Sequence, residues 1–230
     1  MELTGMKAIV TGGHNGNLGP IWREILLIKG CKVESLDLPD CDITNKNEVL
    51  AHAANLKYMG FVPDIIINNA AIDPKPLGNA GIHDRFDEIL KVNLSGVNNV
   101  IEAFAEDMKK KGGVIINIGS MLGFVSADPR NYQEGFMKPY GYGTSKAGLL
   151  GLTRNVGVYY GKWGIRCVML ALGPVDSEKW HPEFREKLVQ TMPLNRFISH
   201  EDLKAGLMFC IQSPNFNARE LLIDGGYSAR

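Results

Sequence analysis

Residues 6–20 read MKAIVTGGHNGNLGP. The apolar run Met6–Val10 has the length of a buried parallel strand, and four glycines, Gly12, Gly13, Gly16 and Gly19, crowd the point where it ends. A strand that ends in a Gly-rich turn and opens a helix offers backbone N–H groups and the positive helix end to a pyrophosphate, provided no Cβ blocks the approach. Pro20 suits a first helical position. Loops rich in Gly and Asn also serve as plain surface turns, so two readings stand. One is a phosphate cradle drawn from Gly12, Asn15, Gly16, Asn17, Leu18 and Gly19; the other is a tight turn.

Asp37 weights the stretch toward the cradle. It ends the second apolar run, 31–36, where a carboxylate can accept both hydroxyls of an adenosine ribose and repel a 2′-phosphate. NAD is therefore expected as cofactor and NADP disfavoured. Further short apolar runs at 64–68, 113–118, 165–171 and 220–223 alternate with segments of helical periodicity at 20–29, 45–58, 84–110, 143–161 and 200–212, with Thr44 as a cap for the second helix. That alternation predicts an α/β fold: a Rossmann-type doubly wound parallel sheet of about six to seven strands, with helices on both faces. Only Leu38–Cys41 separates Asp37 from the Asp42-Ile43-Thr44 segment, too few residues for a connecting helix, so one helix is expected to be missing there. No repeat or Pro-, Gly- or Ser-rich linker splits the chain, and 1–230 reads as a single domain.

Lys plus Arg and Asp plus Glu number 25 each, so charge balance draws the chain neither to nucleic acid nor to an anionic membrane. A small-molecule partner is expected instead. The start MELTGMKAIV lacks a signal-peptide pattern and no stretch is long enough to span a bilayer, which predicts a soluble, cytoplasmic protein. Cys31, Cys41, Cys167 and Cys210 lie far apart with no C-x-x-C pair, so neither a metal site nor a disulfide framework is expected.

Further motifs are Asn68-Asn69-Ala70-Ala71, Val92-Asn93, Ile118-Gly119-Ser120, Tyr142-Gly143-Thr144-Ser145-Lys146, Leu172-Gly173-Pro174-Val175 and Asp224-Gly225-Gly226. With the glycine stretch, in this order, the set resembles the short-chain dehydrogenase/reductase family from Lys7 to Gly226. The chemistry also follows from the residues. Hydride transfer between a carbinol carbon and nicotinamide needs a group that handles the hydroxyl proton near neutral pH. Tyr is a poor base at its usual pKa of about 10 unless positive charge is near, and Lys146, four residues after Tyr142, shares its helix face. Tyr140 has no such Lys. The resemblance implies further that Lys146 holds the nicotinamide ribose, that Ser120 bonds the substrate oxygen and that Asn93 orders a water in a proton relay. It places Asp42 and Ile43 at the adenine, Asn69 and Ala70 beside the adenosine ribose, and Val175 and Ser177 at the carboxamide, with Ala71 and Gly173 as further cofactor contacts. It also implies a homotetramer or homodimer built on helices 84–110 and 143–161.

The chain departs from the family pattern in three places. The glycine turn carries one extra residue, Asn17 and Leu18 standing where one is usual, and Leu172 replaces a frequent Pro. The stretch 121–141 is longer than in typical members and lies between two catalytic candidates, so it is expected to cover the substrate cleft. Its Arg130, Tyr132, Gln133, Glu134 and Lys138 suit a hydroxylated or anionic substrate, and it resembles relatives associated with amino-sugar and nonulosonate pathways of surface glycans. Met121, Arg130, Tyr132 and Trp180 are the substrate candidates, the last on the expected lid 176–200, which also carries His181 and Phe184. The expected activity is NAD(H)-dependent oxidation of a secondary alcohol or reduction of its ketone. The alternatives are a 3-oxoacyl or hydroxysteroid-type reductase of the same family, and a non-catalytic dinucleotide sensor.

Overall fold

The apolar run ahead of the glycines forms β1 (Lys7–Thr11), followed by α1 (Gly19–Ile28), β2 (Lys32–Leu36), α2 (Lys46–Tyr58) and β3 (Ile65–Asn68). The chain continues through β4 (Leu77–Gly78), α3 (Phe86–Leu90), a π-helical turn at Lys91–Gly96, α4 (Val97–Met108), β5 (Gly113–Ser120) and β6 (Phe136–Met137). It ends with α5 (Tyr140–Tyr160), β7 (Ile165–Leu172), α6 (Pro182–Gln190), α7 (His200–Gln212) and β8 (Glu220–Ile223). These elements come from a computed structural model, which describes residues 3–75, 77–78, 85–177 and 180–229.

Six strands pair in parallel in the order β2-β1-β3-β5-β7-β8. Because side chains alternate across a strand, a sheet covered on both faces needs apolar residues at nearly every position. Ala8 and Val10 accordingly pack with Trp22 and Leu26 of α1 and Leu203 and Leu207 of α7. Ile9 between them packs on the other face with Val49 of α2, Phe104 of α4 and Leu149 of α5. A polar chain crosses the second face: Asn68 Nδ2 donates to Asn117 Oδ1 at 2.8 Å, Asn117 Nδ2 to Thr153 Oγ1 at 2.9 Å, and Thr153 Oγ1 to the Leu149 carbonyl at 2.8 Å. It fixes β3, β5 and α5 in one register.

The strand order reverses between β1 and β3, which opens a crevice at their carboxyl ends. Between Asp37 and Asn45 the chain forms neither the missing helix nor a strand at Asp42–Thr44, so β2 is the sheet edge and the sheet has six strands. α2 is capped by Asn45, not Thr44: the Asn45 side chain accepts from the Asn47 N–H at 3.2 Å. The long middle helix expected over 84–110 is broken by its π turn; Asp84 lies outside the described residues. No helix among the described residues is long and apolar enough to cross a membrane.

Candidate active site

The glycine turn closes over the end of β1 because two of its glycines take a left-handed backbone and a third lets backbone approach where a side chain would block it. Gly12 and Gly16 hold positive φ, +63° and +81°, and a Cβ on Gly19 would lie 1.8 Å from the Gly12 carbonyl oxygen. Gly19 therefore packs the start of α1 onto the turn. Leu18 is the N-cap of α1 and makes no side-chain cap, and Pro20 occupies the first turn, so the helix end is not closed by a side chain of its own. Thr11 Oγ1 accepts from the N–H groups of Asn69 and Ala70 at 3.0 and 2.9 Å, clamping the segment after β3 to the turn. Asn69 completes the clamp: its Nδ2 donates to the Thr11 and Gly12 carbonyls, and its Oδ1 accepts from Trp22 Nε1.

One cleft of about 870 Å³ runs from this turn across the carboxyl ends of the strands. Gly12, Asn15, Gly16, Asn17, Leu18, Asp37, Asp42, Ile43, Asn69, Ala70 and Ala71 line one end. Asp37 Oδ2 accepts from the His14 N–H at 3.1 Å and meets His14 Nδ1 at 3.0 Å, so the glycine turn itself positions the carboxylate. Positive-φ glycines, an uncapped helix start and a carboxylate beyond them fit a dinucleotide with its pyrophosphate on the turn.

Ser120, Tyr142, Lys146, Gly173 and Val175 line the middle of the same cleft. Ser120 ends β5, where the register sets it level with Leu172 of β7. Tyr142 and Lys146 lie one turn apart at the start of α5, which begins at Tyr140 rather than at the expected 143. Lys146 Nζ donates to the Ile118 carbonyl at 2.8 Å and stands 5.7 Å from the Tyr142 ring centre. Burial pulls the Lys146 ammonium down to about 8. Burial, and then Asp73, push the Tyr142 phenol well above its usual value, while hydrogen bonding to Ser120 pulls it the other way.

Tyr142 and Lys146 thus meet in a water-poor corner. Asn93 sits behind them, not in the cleft. It is buried in the π turn, where its Oδ1 accepts from the Ile72 N–H at 2.8 Å and its Nδ2 donates to the Ile72 carbonyl at 3.0 Å and to Ser145 Oγ at 3.1 Å.

A family model described as enoyl-(acyl carrier protein) reductase matches residues 28–228, most of the sheet and the whole of this cleft beyond the glycine turn. The chain belongs to the short-chain dehydrogenase/reductase family. It is accordingly an NAD(P)-dependent oxidoreductase. A short-chain dehydrogenase from Leptospira borgpetersenii, solved with bound NAD+, superimposes with a TM-score of 0.90 at 28% identity, covering 99% of this chain and 94% of that one. The 3-oxoacyl-[acyl-carrier-protein] reductase FabG of Rickettsia bellii is 28% identical over 98% of both chains. The 2-(R)-hydroxypropyl-CoM dehydrogenase of Xanthobacter autotrophicus is 28% identical over 96% of this chain and 98% of its own.

Seen as a member of this family, the chain places most of its expected site residues in the cleft and a few outside it. Met121, Tyr132 and Trp180 line the far end, with Phe184 between them, tilted against Tyr132 at 5.3 Å and edge-on to Trp180 at 5.7 Å. Arg130 does not: its guanidinium turns back onto Asp128 at 2.6 Å and is 79% exposed. Ser177 also lies off the cleft lining, its N–H donating to Asp176 Oδ1 at 2.9 Å, and Glu178 and Lys179 of the expected lid fall outside the described residues. Asp73, Asn131 and Tyr227 line the substrate end and were not singled out from sequence. Only Asp73 carried a signal, two residues beyond the Asn69-Ala70-Ala71 motif.

Proposed function

We propose that the chain is an NAD-preferring oxidoreductase of a secondary alcohol or its ketone, with Tyr142 as acid/base, and that its substrate is a hydroxylated compound of the sugar or amino-sugar kind. The observation that carries this reading is the convergence of Tyr142, Lys146 and Ser120 in the cleft whose other end holds Asp37 and the glycine turn. A bound nicotinamide dinucleotide supplies hydride exchange with the carbinol carbon. Asp37 binds the adenosine ribose and repels a 2′-phosphate; the NAD+ bound to the Leptospira relative supports the same preference. Ser120 holds the substrate oxygen, and Tyr142 gives that oxygen a proton in reduction or takes one in oxidation. Lys146, when protonated, supplies positive charge beside the phenolate that burial disfavours. Asn93 acts from behind, fixing the Ile72 backbone and Ser145 against the first turn of α5.

The far wall supports the substrate class. Tyr132, Phe184 and Trp180 offer ring faces for the C–H surface of a sugar, and Asn131, Asp73 and Lys138 line the same cleft as polar groups. A second reading, reduction of a 3-oxoacyl thioester, is favoured by the FabG relative. Turnover screens with sugar and amino-sugar alcohols against a 3-oxoacyl thioester separate the two.

The mechanism is tested with Tyr142→Phe. It should bind NADH as wild type does and lose turnover by about 10²–10⁴-fold, the usual share of a general acid/base. Retained turnover would remove Tyr142 from the reaction. Wild-type titration with NADH and NADPH tests the Asp37 reading, which equal or tighter NADPH binding would overturn.

A further inference from the structure

Burial leaves the Tyr142 phenolate short of positive charge, and Lys146 spends part of its own in the bond to the Ile118 carbonyl. A second cation stands closer to the ring. Lys138 comes from the 121–141 stretch just ahead of α5, and its Nζ lies 4.8 Å from the Tyr142 ring centre, against 5.7 Å for Lys146. Its side chain is only 14% exposed and pairs with Asp73, on the segment after β3, which is 59% exposed. The same two segments are joined by the antiparallel pairing of β4 with β6. Lys138 is thus held over the ring by a carboxylate that itself faces the cleft.

We propose that Lys138 and Asp73 form a charge pair of opposing action on Tyr142: Lys138 is a positioning residue that favours release of the phenolic proton, and Asp73 restrains it. This rests on the reading of Tyr142 as the acid/base. A cation near an aromatic face is attracted to the ring, the more so when desolvated, and a unit charge within about 4–6 Å moves a titrating group by about 1–3 pH units. The other groups around Tyr142 do not duplicate the pair. Lys146 and Ser120 approach from α5 and β5. Tyr132 faces Asp73, Asp128 and Tyr227, while Arg130 is taken up by Asp128. Glu88 and Lys91 line the cleft from α3 and the π turn.

The pair has a consequence that a mere latch lacks. If the ion pair only tied the 121–141 stretch to the sheet, removing either partner would break the same bond and act in the same direction. If it acts by charge, Lys138→Gln raises and Asp73→Asn lowers the pH at which Tyr142 ionises, each by about 1 unit, and Lys138→Arg leaves it in place. The readout is phenolate absorbance with NAD+ present, taken as the difference between each variant and the same variant carrying Tyr142→Phe, with circular dichroism to confirm folding. Shifts of opposite sign in the two variants support the proposal. Shifts of the same sign, or no gain of phenolate signal in Asp73→Asn relative to wild type, overturn it. The measurement needs no turnover, so it is separate from the Tyr142→Phe test of the reaction itself.

Discussion

Gly16 and Gly19 stand three residues apart in one turn, yet their lost side chains serve different ends. Gly16 has φ +81° and open space around a Cβ, so Gly16→Ala meets only left-handed strain, roughly 1–2 kcal/mol. A Cβ on Gly19 would be driven into the Gly12 carbonyl oxygen at 1.8 Å, and backbone cannot move aside as a flexible side chain does. Gly19→Ala should therefore shift the start of α1, cost about 1–3 kcal/mol or more, and weaken NADH binding by about tenfold, while Gly16→Ala holds more of its affinity. Thermal midpoints and NADH titration of the two variants check this; the reverse ranking would contradict the packing role of Gly19. Sequence spacing alone put both glycines in the phosphate cradle. It could not separate them, because a glycine needed against another segment of backbone leaves the same letter as one needed by its own φ.

At the scale of the element, the four inner strands β1, β3, β5 and β7 were legible because burial on both faces demands nearly unbroken apolar runs. α6 was not. Of Pro182–Gln190 only Leu188 is buried, so the segment carries no apolar stripe to betray a helix. β4 and β6 are two residues each, no longer than one period of strand alternation. The π turn was equally hidden, since its extra residue per turn is set by what Asn93 reaches and not by local propensity. Asn93 joins three elements there, and Asn93→Ala would leave the half-buried Ile72 N–H and carbonyl without their partner at a cost of about 1–2 kcal/mol each. Urea unfolding of Asn93→Ala should show a loss of about 2–4 kcal/mol. An unchanged midpoint would mean that water replaces the amide at that turn, and that Asn93 is not what holds the segment after β3.

Across the whole molecule, the ends of the parallel strands make one cleft, and this is why residues scattered from Gly12 to Val175 were legible as one site only through their order along the chain. What order could not supply was which side chains turn inward: Arg130 folds back on Asp128 while Lys138, eight positions on, reaches Tyr142. The four cysteines give the fold a pH signature of its own, for all are buried and free. Burial raises Cys41 to about 11 and Cys210 to about 12, and raises Cys167 further. An unfolded thiol ionises near pH 8.5, so above that pH the unfolded chain sheds protons that the folded chain keeps, and stability falls as pH rises. Each thiol removes at most about 1.4 kcal/mol per pH unit. Lys146 acts in the opposite sense: held down to about 8 in the fold and near 10.4 when unfolded, it carries a burial penalty that is relieved as pH rises through that window. Burial raises Cys31 as well, so four thiols oppose one amine, and urea unfolding in reducing buffer should show stability falling between pH 8.5 and 10, by up to about 4 kcal/mol per unit. Cys210→Ala should flatten that slope whatever it does to stability at pH 7. A stability that rises over the same interval would show that the Lys146 penalty outweighs the buried thiols.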